Sequence, residues 1–167
     1  MTRSGRKVLI AFGSRRGGTA GLAEMIGAAL TDVGCEVVVA PADQVSDVRG
    51  VDAVIVAGAL YANRWHRHAR RFVRRNAAAL RTVPVWLVSS GPLDDSAKDH
   101  DIPPTKQVAK LATLVSARGH VTFGGRLLPD AKGFPAGAMA RTRAGDWRDA
   151  EHIRSWAAAV IDDLQRV

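Results

Sequence analysis

Residues 7–12 (KVLIAF) form a short apolar run without polar alternation, the pattern of a strand covered on both faces. A break at 13–18 (GSRRGG) separates it from residues 19–33. There Leu22, Ile26, Ala29, Leu30 and Val33 recur at helical spacing, and Gly34 stands at the stop position. Residues 35–40 (CEVVVA), closed by Pro41, and 52–57 (DAVIVA), ended by Gly58, predict the second and third strands. Residues 43–48 hold at most a short helix. A strongly patterned helix follows over 65–80, with Trp65, Ala69, Phe72, Val73 and Leu80 on one face. Arg67, Arg70, Arg71, Arg74 and Arg75 occupy the other. Residues 84–89 (PVWLVS) predict a fourth strand and Ser90-Gly91-Pro92 a turn. Residues 106–118 predict a helix with Val108, Leu111, Ala112 and Val115 inward, closed by Gly119, and 120–128 a fifth strand. A Gly/Pro-rich loop over 129–145 leads to a last helix over 147–164, with Ile153, Trp156, Val160 and Leu164 inward.

Short buried strands alternating with helices imply a parallel sheet flanked on both sides. The expected fold is a single α/β domain over residues 1–167. Its five-stranded, doubly wound sheet has order 2-1-3-4-5 within a three-layer α/β/α arrangement.

Length and composition agree: 167 residues with 47% hydrophobic and 24% charged positions suit one globular domain. No apolar run approaches the ~18 residues of a membrane span, and the stretch over 8–12 is too short for a signal peptide. The single cysteine, Cys35, excludes an internal disulfide framework and fits a reducing cytoplasm, where it reads as a small buried residue. One cysteine and five scattered histidines give no zinc-ligand spacing, and Asp94, Asp95 and Asp99 lack the pattern of a calcium loop.

Charge changes the picture. The formal net charge is +8, and no acidic residue occurs between Asp52 and Asp94. Such a field draws polyanions, and guanidinium groups favour planar phosphate and carboxylate partners. Composition alone does not choose among nucleic acid, anionic lipid, acidic protein and charged cofactor.

In open parallel sheets ligands bind beyond the carboxyl ends of the strands, where strand order reverses. That point lies between the first and third strands, so the loops that matter are 13–19, 58–65 and 89–93. In the first, Ser14, Arg15, Arg16, Gly17, Gly18 and Thr19 open a helix whose unsatisfied N–H groups and dipole suit a phosphate. Flexible glycines at a helix start are the plainer reading. A Walker loop and a dinucleotide fingerprint both fail on spacing.

The strand–SRRGGT–helix motif resembles the phosphate loop of flavodoxins, and the likeness extends to GALYANRW at 58–65 and SSGP at 89–92. The tail GDWRD at 145–149 is similar to the flavodoxin-domain branch containing menaquinone-dependent protoporphyrinogen dehydrogenases. The resemblance implies that residues 14–19 hold the phosphate of FMN. Ala59, Leu60, Tyr61, Ala62 and Asn63 would form a wall beside the ring, with Tyr61 stacking on it. Ser89, Ser90, Gly91 and Pro92 would line the pyrimidine side and ribityl chain through backbone groups, and Arg64 would lie at the ligand-proximal end of the helix. It implies an FMN-dependent oxidoreductase or electron-transfer protein with a quinone-like acceptor, and no catalytic side chain.

This chain departs from the family in its charge, since electron-carrier flavodoxins are acidic. Arg15, Arg16, Arg64 and Arg67 can surround an anionic tail, so a deazaflavin coenzyme bearing several glutamates is the alternative to FMN. For Arg70, Arg71, Arg74 and Arg75 a solvated or partner-docking face is expected. The expected partners are a small-molecule redox substrate or an acidic redox protein, with peripheral contact to anionic membrane as a third reading. A nucleic-acid-binding module is the rival class, and the lack of aromatics among the arginines counts against it. His66 and His68 read as boundary residues of the same helix.

Overall fold

The computed structural model describes residues 5–14, 18–91, 101–127, 145–146 and 148–166. Its strands are β1 (Lys7–Gly13), β2 (Glu36–Pro41), β3 (Ala53–Tyr61), β4 (Arg64–Trp65), β5 (Val85–Ser90), β6 (Gly119–Phe123), β7 (Arg126–Leu127) and β8 (Gly145–Asp146). Its helices are α1 (Gly18–Asp32), α2 (Arg67–Arg75), α3 (Ala77–Leu80), α4 (Lys106–Val115) and α5 (Ala150–Gln165), with a 3₁₀ turn over Ala42–Gln44.

The parallel sheet runs β2-β1-β3-β5-β6, which is the expected 2-1-3-4-5 order once the short β4 and its antiparallel pairing with β3 are set aside. Side chains alternate across each strand, so β1 sends Val8 and Ile10 to one side and Leu9 and Ala11 to the other. The first pair packs with Leu22 and Ile26 of α1 and Ile153 and Val160 of α5. The second packs with Phe72 and Val73 of α2 and Val108 and Leu111 of α4. The doubly wound α/β/α architecture is thereby established.

Several boundaries differ from the sequence reading. Gly58 does not end the third strand, which continues to Tyr61, because the glycine makes room for the indole of Trp65. Residues 65–80 are not one helix. Trp65 belongs to β4, α2 begins at Arg67, and Asn76 separates α2 from α3 while its side-chain amide donates to the Phe72 carbonyl at 3.0 Å. The indole is buried all the same. α4 stops at Ser116, which takes the left-handed conformation (φ 52°), so Gly119 opens β6 instead of closing a helix. The fifth strand ends at Phe123, and β7 pairs antiparallel with β8. α5 begins at Ala150, capped by the Asp149 carboxylate, and Val33 lies beyond α1 and is exposed. Cys35 and Trp156 are half-buried, and Trp156 meets Phe123 edge to face at 5.8 Å. The readings on 92–100, most of 129–145, and Trp147 lie outside the described residues.

Candidate functional site

The carboxyl ends of three strands meet in register where strand order reverses. Gly13 of β1 lies opposite Gly58 of β3, and Gly58 and Ala59 lie opposite Ser89 and Ser90 of β5. The loops behind them are in contact. A Cβ on Gly13 would stand 2.8 Å from the Ala69 nitrogen and 3.1 Å from Nδ1 of His66, at the start of α2. A Cβ on Gly91 would stand 3.1 Å from Cδ1 of Leu60. The segments that the sequence singled out after β1, β3 and β5 thus converge.

Of the expected phosphate loop, Ser14, Gly18 and Thr19 are described, while Arg15, Arg16 and Gly17 lie outside the described residues. α1 starts at Gly18, its first turn holds no acidic residue, and Thr19 is buried. An anion at its N-terminus would meet amide hydrogens without a competing carboxylate from that turn. The guanidinium of Arg148, just ahead of α5, crosses over Gly21, where a Cβ would collide with it. Nothing local in the sequence marks Arg148 for that position.

The second segment is a tight hairpin. Tyr61 pairs with Arg64, and the two residues between, Ala62 and Asn63, have φ of 50° and 65°. Two successive left-handed residues define the turn geometry that matches sheet twist, although Ala is a poor occupant of it. The hairpin leaves the Tyr61 ring half-buried, 6.2 Å from the ring of His66 and inclined to it by 62°. His66 does not flank the apolar face from within the helix but stands buried at its N-terminal boundary. It caps α2, with Nδ1 accepting the His68 amide at 3.2 Å and its own amide donating to the Ala59 carbonyl at 2.8 Å.

Below the hairpin runs a buried polar chain. The indole N–H of Trp65 donates to Ser89 Oγ at 3.0 Å, and Ser89 Oγ lies 2.8 Å from Nε2 of His120. Because indole is only a donor, the serine hydroxyl has its hydrogen for the imidazole. Burial lowers the His120 pKa to about 4, which keeps the ring neutral and able to accept. The Trp65 amide donates to Oε1 of Gln107 at 2.8 Å, joining β4 to α4. Ser89 therefore points its side chain into the protein. The Gly91 amide donates to the Phe123 carbonyl at 3.3 Å, so its carbonyl and α-carbon are what it can offer a ligand. Pro92 lies outside the described residues. Gln107 and His120 were missed from sequence. A histidine beside the apolar VTF of its strand was the one available signal.

Outside the hairpin, Tyr61, Arg64, Trp65, His66, Arg67 and Arg70 line a cavity of about 270 Å³. Arg70 donates Nε–H to the Trp65 carbonyl at 3.0 Å, and Arg75 donates to the Val45 carbonyl at 3.0 Å. Among the described residues no three His, Cys, Asp or Glu gather as a metal site, and no helix is long and apolar enough to cross a membrane.

Fold and site together define a flavodoxin-like α/β protein in which three strand ends converge at the reversal of strand order. The flavodoxin domain family matches residues 9–135, and the chain belongs to that family. Among solved structures, a short-chain flavodoxin associated with a non-canonical PDU bacterial microcompartment is similar, with TM-score 0.63 and 11% identity. That match covers 95% of this chain and 99% of the other. A cysteine-to-serine variant of flavodoxin from Pseudomonas aeruginosa gives TM-score 0.58 at 16% identity, covering 92% and 97%. A flavo-diiron protein variant from Thermotoga maritima gives 0.61 at 14%, covering 95% of this chain but 35% of that longer one. No curated protein matches the sequence.

Proposed function

We propose that the protein binds flavin mononucleotide at the carboxyl ends of β1, β3 and β5 and serves in oxidation–reduction. One observation carries this reading: an acid-free helix start, the Tyr61 hairpin and the Ser90–Gly91 segment converge at the point where strand order reverses. The residues fit the group. Amides at the start of α1, with Ser14, Thr19 and the neighbouring Arg15 and Arg16, would hold the phosphate. Tyr61 would cover one face of the ring, and Leu60, Ser90 and Gly91 would shape its edge. The bound flavin supplies the chemistry by taking up and releasing reducing equivalents. The protein supplies position, a polar anchor and partial exclusion of water. The family and the solved flavodoxins support this assignment. An organic electron donor with a quinone-like acceptor is the finer reading, supported by the protoporphyrinogen dehydrogenase-like tail.

Titration with FMN and with a deazaflavin coenzyme, followed by fluorescence, tests the proposal. FMN should bind, with its two-band absorption retained on gel filtration. Binding of the deazaflavin alone would replace the cofactor, and binding of neither would remove the redox assignment.

A further inference from the structure

The outer side of β4 and α2 carries Arg64, Arg67, Arg71, Arg74 and Arg75, all exposed, with Arg70 half-buried among them. Among the described residues the ion pairs are Arg49–Asp47, His68–Asp43 and Arg118–Asp163; only the second touches α2, through His68, and none takes an arginine of this face. The arginines of this face therefore have no described carboxylate within ion-pair distance; the nearby Asp43 pairs with His68 and shares a pocket with Arg75. Burial and the neighbouring charges of Arg64, Arg74 and Arg71 push the Arg70 pKa down. A cluster kept in this state is complementary to an external polyanion.

The shape of the cluster selects the kind of polyanion. The cavity at Tyr61, Arg64, Arg67 and Arg70 holds about 270 Å³, enough for one compact anion. Yet Arg71 and Arg74 lie outside it, along a nine-residue helix about 13 Å long. An extended set of charges matches that stripe, and a single small ion does not. Among the described residues the exposed large apolar ones, Val33 and Val38, lie past α1 and on β2, so no described residue of this face is an exposed large apolar group for a bilayer. Trp65 is buried and Tyr61 is the residue assigned to the flavin ring, so among the described residues no further aromatic stands between these arginines to stack successive bases. Guanidinium groups pair well with carboxylates in bidentate geometry.

We propose that this arginine face is the docking surface of an acidic redox partner protein. Its carboxylates pair with Arg67, Arg71 and Arg74 and reach the cavity beside Tyr61. The redox character of the partner rests on the flavin reading, since the face begins at the hairpin that would cover the ring. The face itself rests on charge and shape.

Fluorescein-labelled hexaglutamate, about 20 Å when extended, serves as the probe in an anisotropy titration at several salt concentrations. It should bind with an affinity that falls steeply as salt rises. Replacing Arg71 and Arg74 together by Gln should weaken it at least tenfold and leave FMN affinity unchanged. The Arg154→Gln/Arg166→Gln control, on α5 and at its C-cap, should bind the peptide like the parent. Equal losses in both variants would overturn the proposal. So would tighter binding of hexathymidylate or phosphatidylserine vesicles, or displacement of the peptide by citrate at peptide-like concentration. If FMN fails to bind while the peptide binds through these arginines, the surface stands and the cofactor reading alone falls.

Discussion

Gly58 lies directly under the indole of Trp65: a Cβ built on the glycine would stand 2.6 Å from Cδ2 of the ring. The ring cannot retreat easily, because it is buried, its N–H is held by Ser89, and its backbone amide is held by Gln107. Gly58→Ala should therefore destabilise the fold by about 2–3 kcal/mol through overpacking. A fall in the urea midpoint at constant m-value is the expected signature, and an unchanged midpoint would show the contact to be slack.

Ser89→Ala removes the acceptor of the Trp65 indole and the donor to His120 in one step. The indole N–H is then buried without a partner, at a cost of about 1–3 kcal/mol. Trp65 fluorescence should shift as its environment changes, and thermal unfolding should report the loss.

The same chain sets an acid limit. His120 has a folded-state pKa of about 4, below its ordinary 6.5, so the unfolded chain binds more protons between those values. Stability should accordingly be full above pH 6.5 and decline as pH falls from 6.5 toward 4. The full shift would amount to about 3 kcal/mol, and partial exposure of the ring reduces this to about 1–2 kcal/mol. His120→Gln should flatten that part of the profile in urea titrations run at a series of pH values.

Ala62 occupies the first of two left-handed positions in the β3–β4 turn, with φ of 50°. Ala62→Gly should relieve about 0.5–1 kcal/mol of strain and raise the melting temperature. Ala62→Val should lower it. Identical melting of all three proteins would mean that the turn relaxes freely in solution.

An acid placed in the first turn of α1 gives effects of opposite sign. Ala20→Glu favours the helix dipole and should stabilise the unliganded protein by about 0.3–1 kcal/mol. The same carboxylate would repel a phosphate, so FMN affinity should drop at least tenfold. Weaker FMN binding together with higher unliganded stability locates the phosphate at this helix end. Undiminished FMN affinity would place it elsewhere.

Strand order and core were legible because a strand covered on both faces must be apolar almost throughout. KVLIAF and PVWLVS have no other plausible use. The local geometry of the site was less legible. Trp65 falls on the apolar stripe of the following helix, so its period conceals a two-residue strand. Ala62-Asn63 carries no glycine to announce a hairpin, and Gly58 signals a break although its role is steric. The Ser89–His120 contact joins residues 31 apart in the chain, beyond the reach of periodicity. Positions that interact through the fold become visible only with the fold.

The alternation of β1 between its two sides has a mechanical consequence. Val8 and Ile10 belong to one apolar compartment, Leu9 and Ala11 to another, and a hydrogen-bonded sheet stands between. The sheet acts as a bulkhead. A void opened behind Ile10 should leave the layer carrying α2 and the arginines undisturbed, so that losses on the two sides sum. The converging ends of β1, β3 and β5 sit at the rim of that bulkhead.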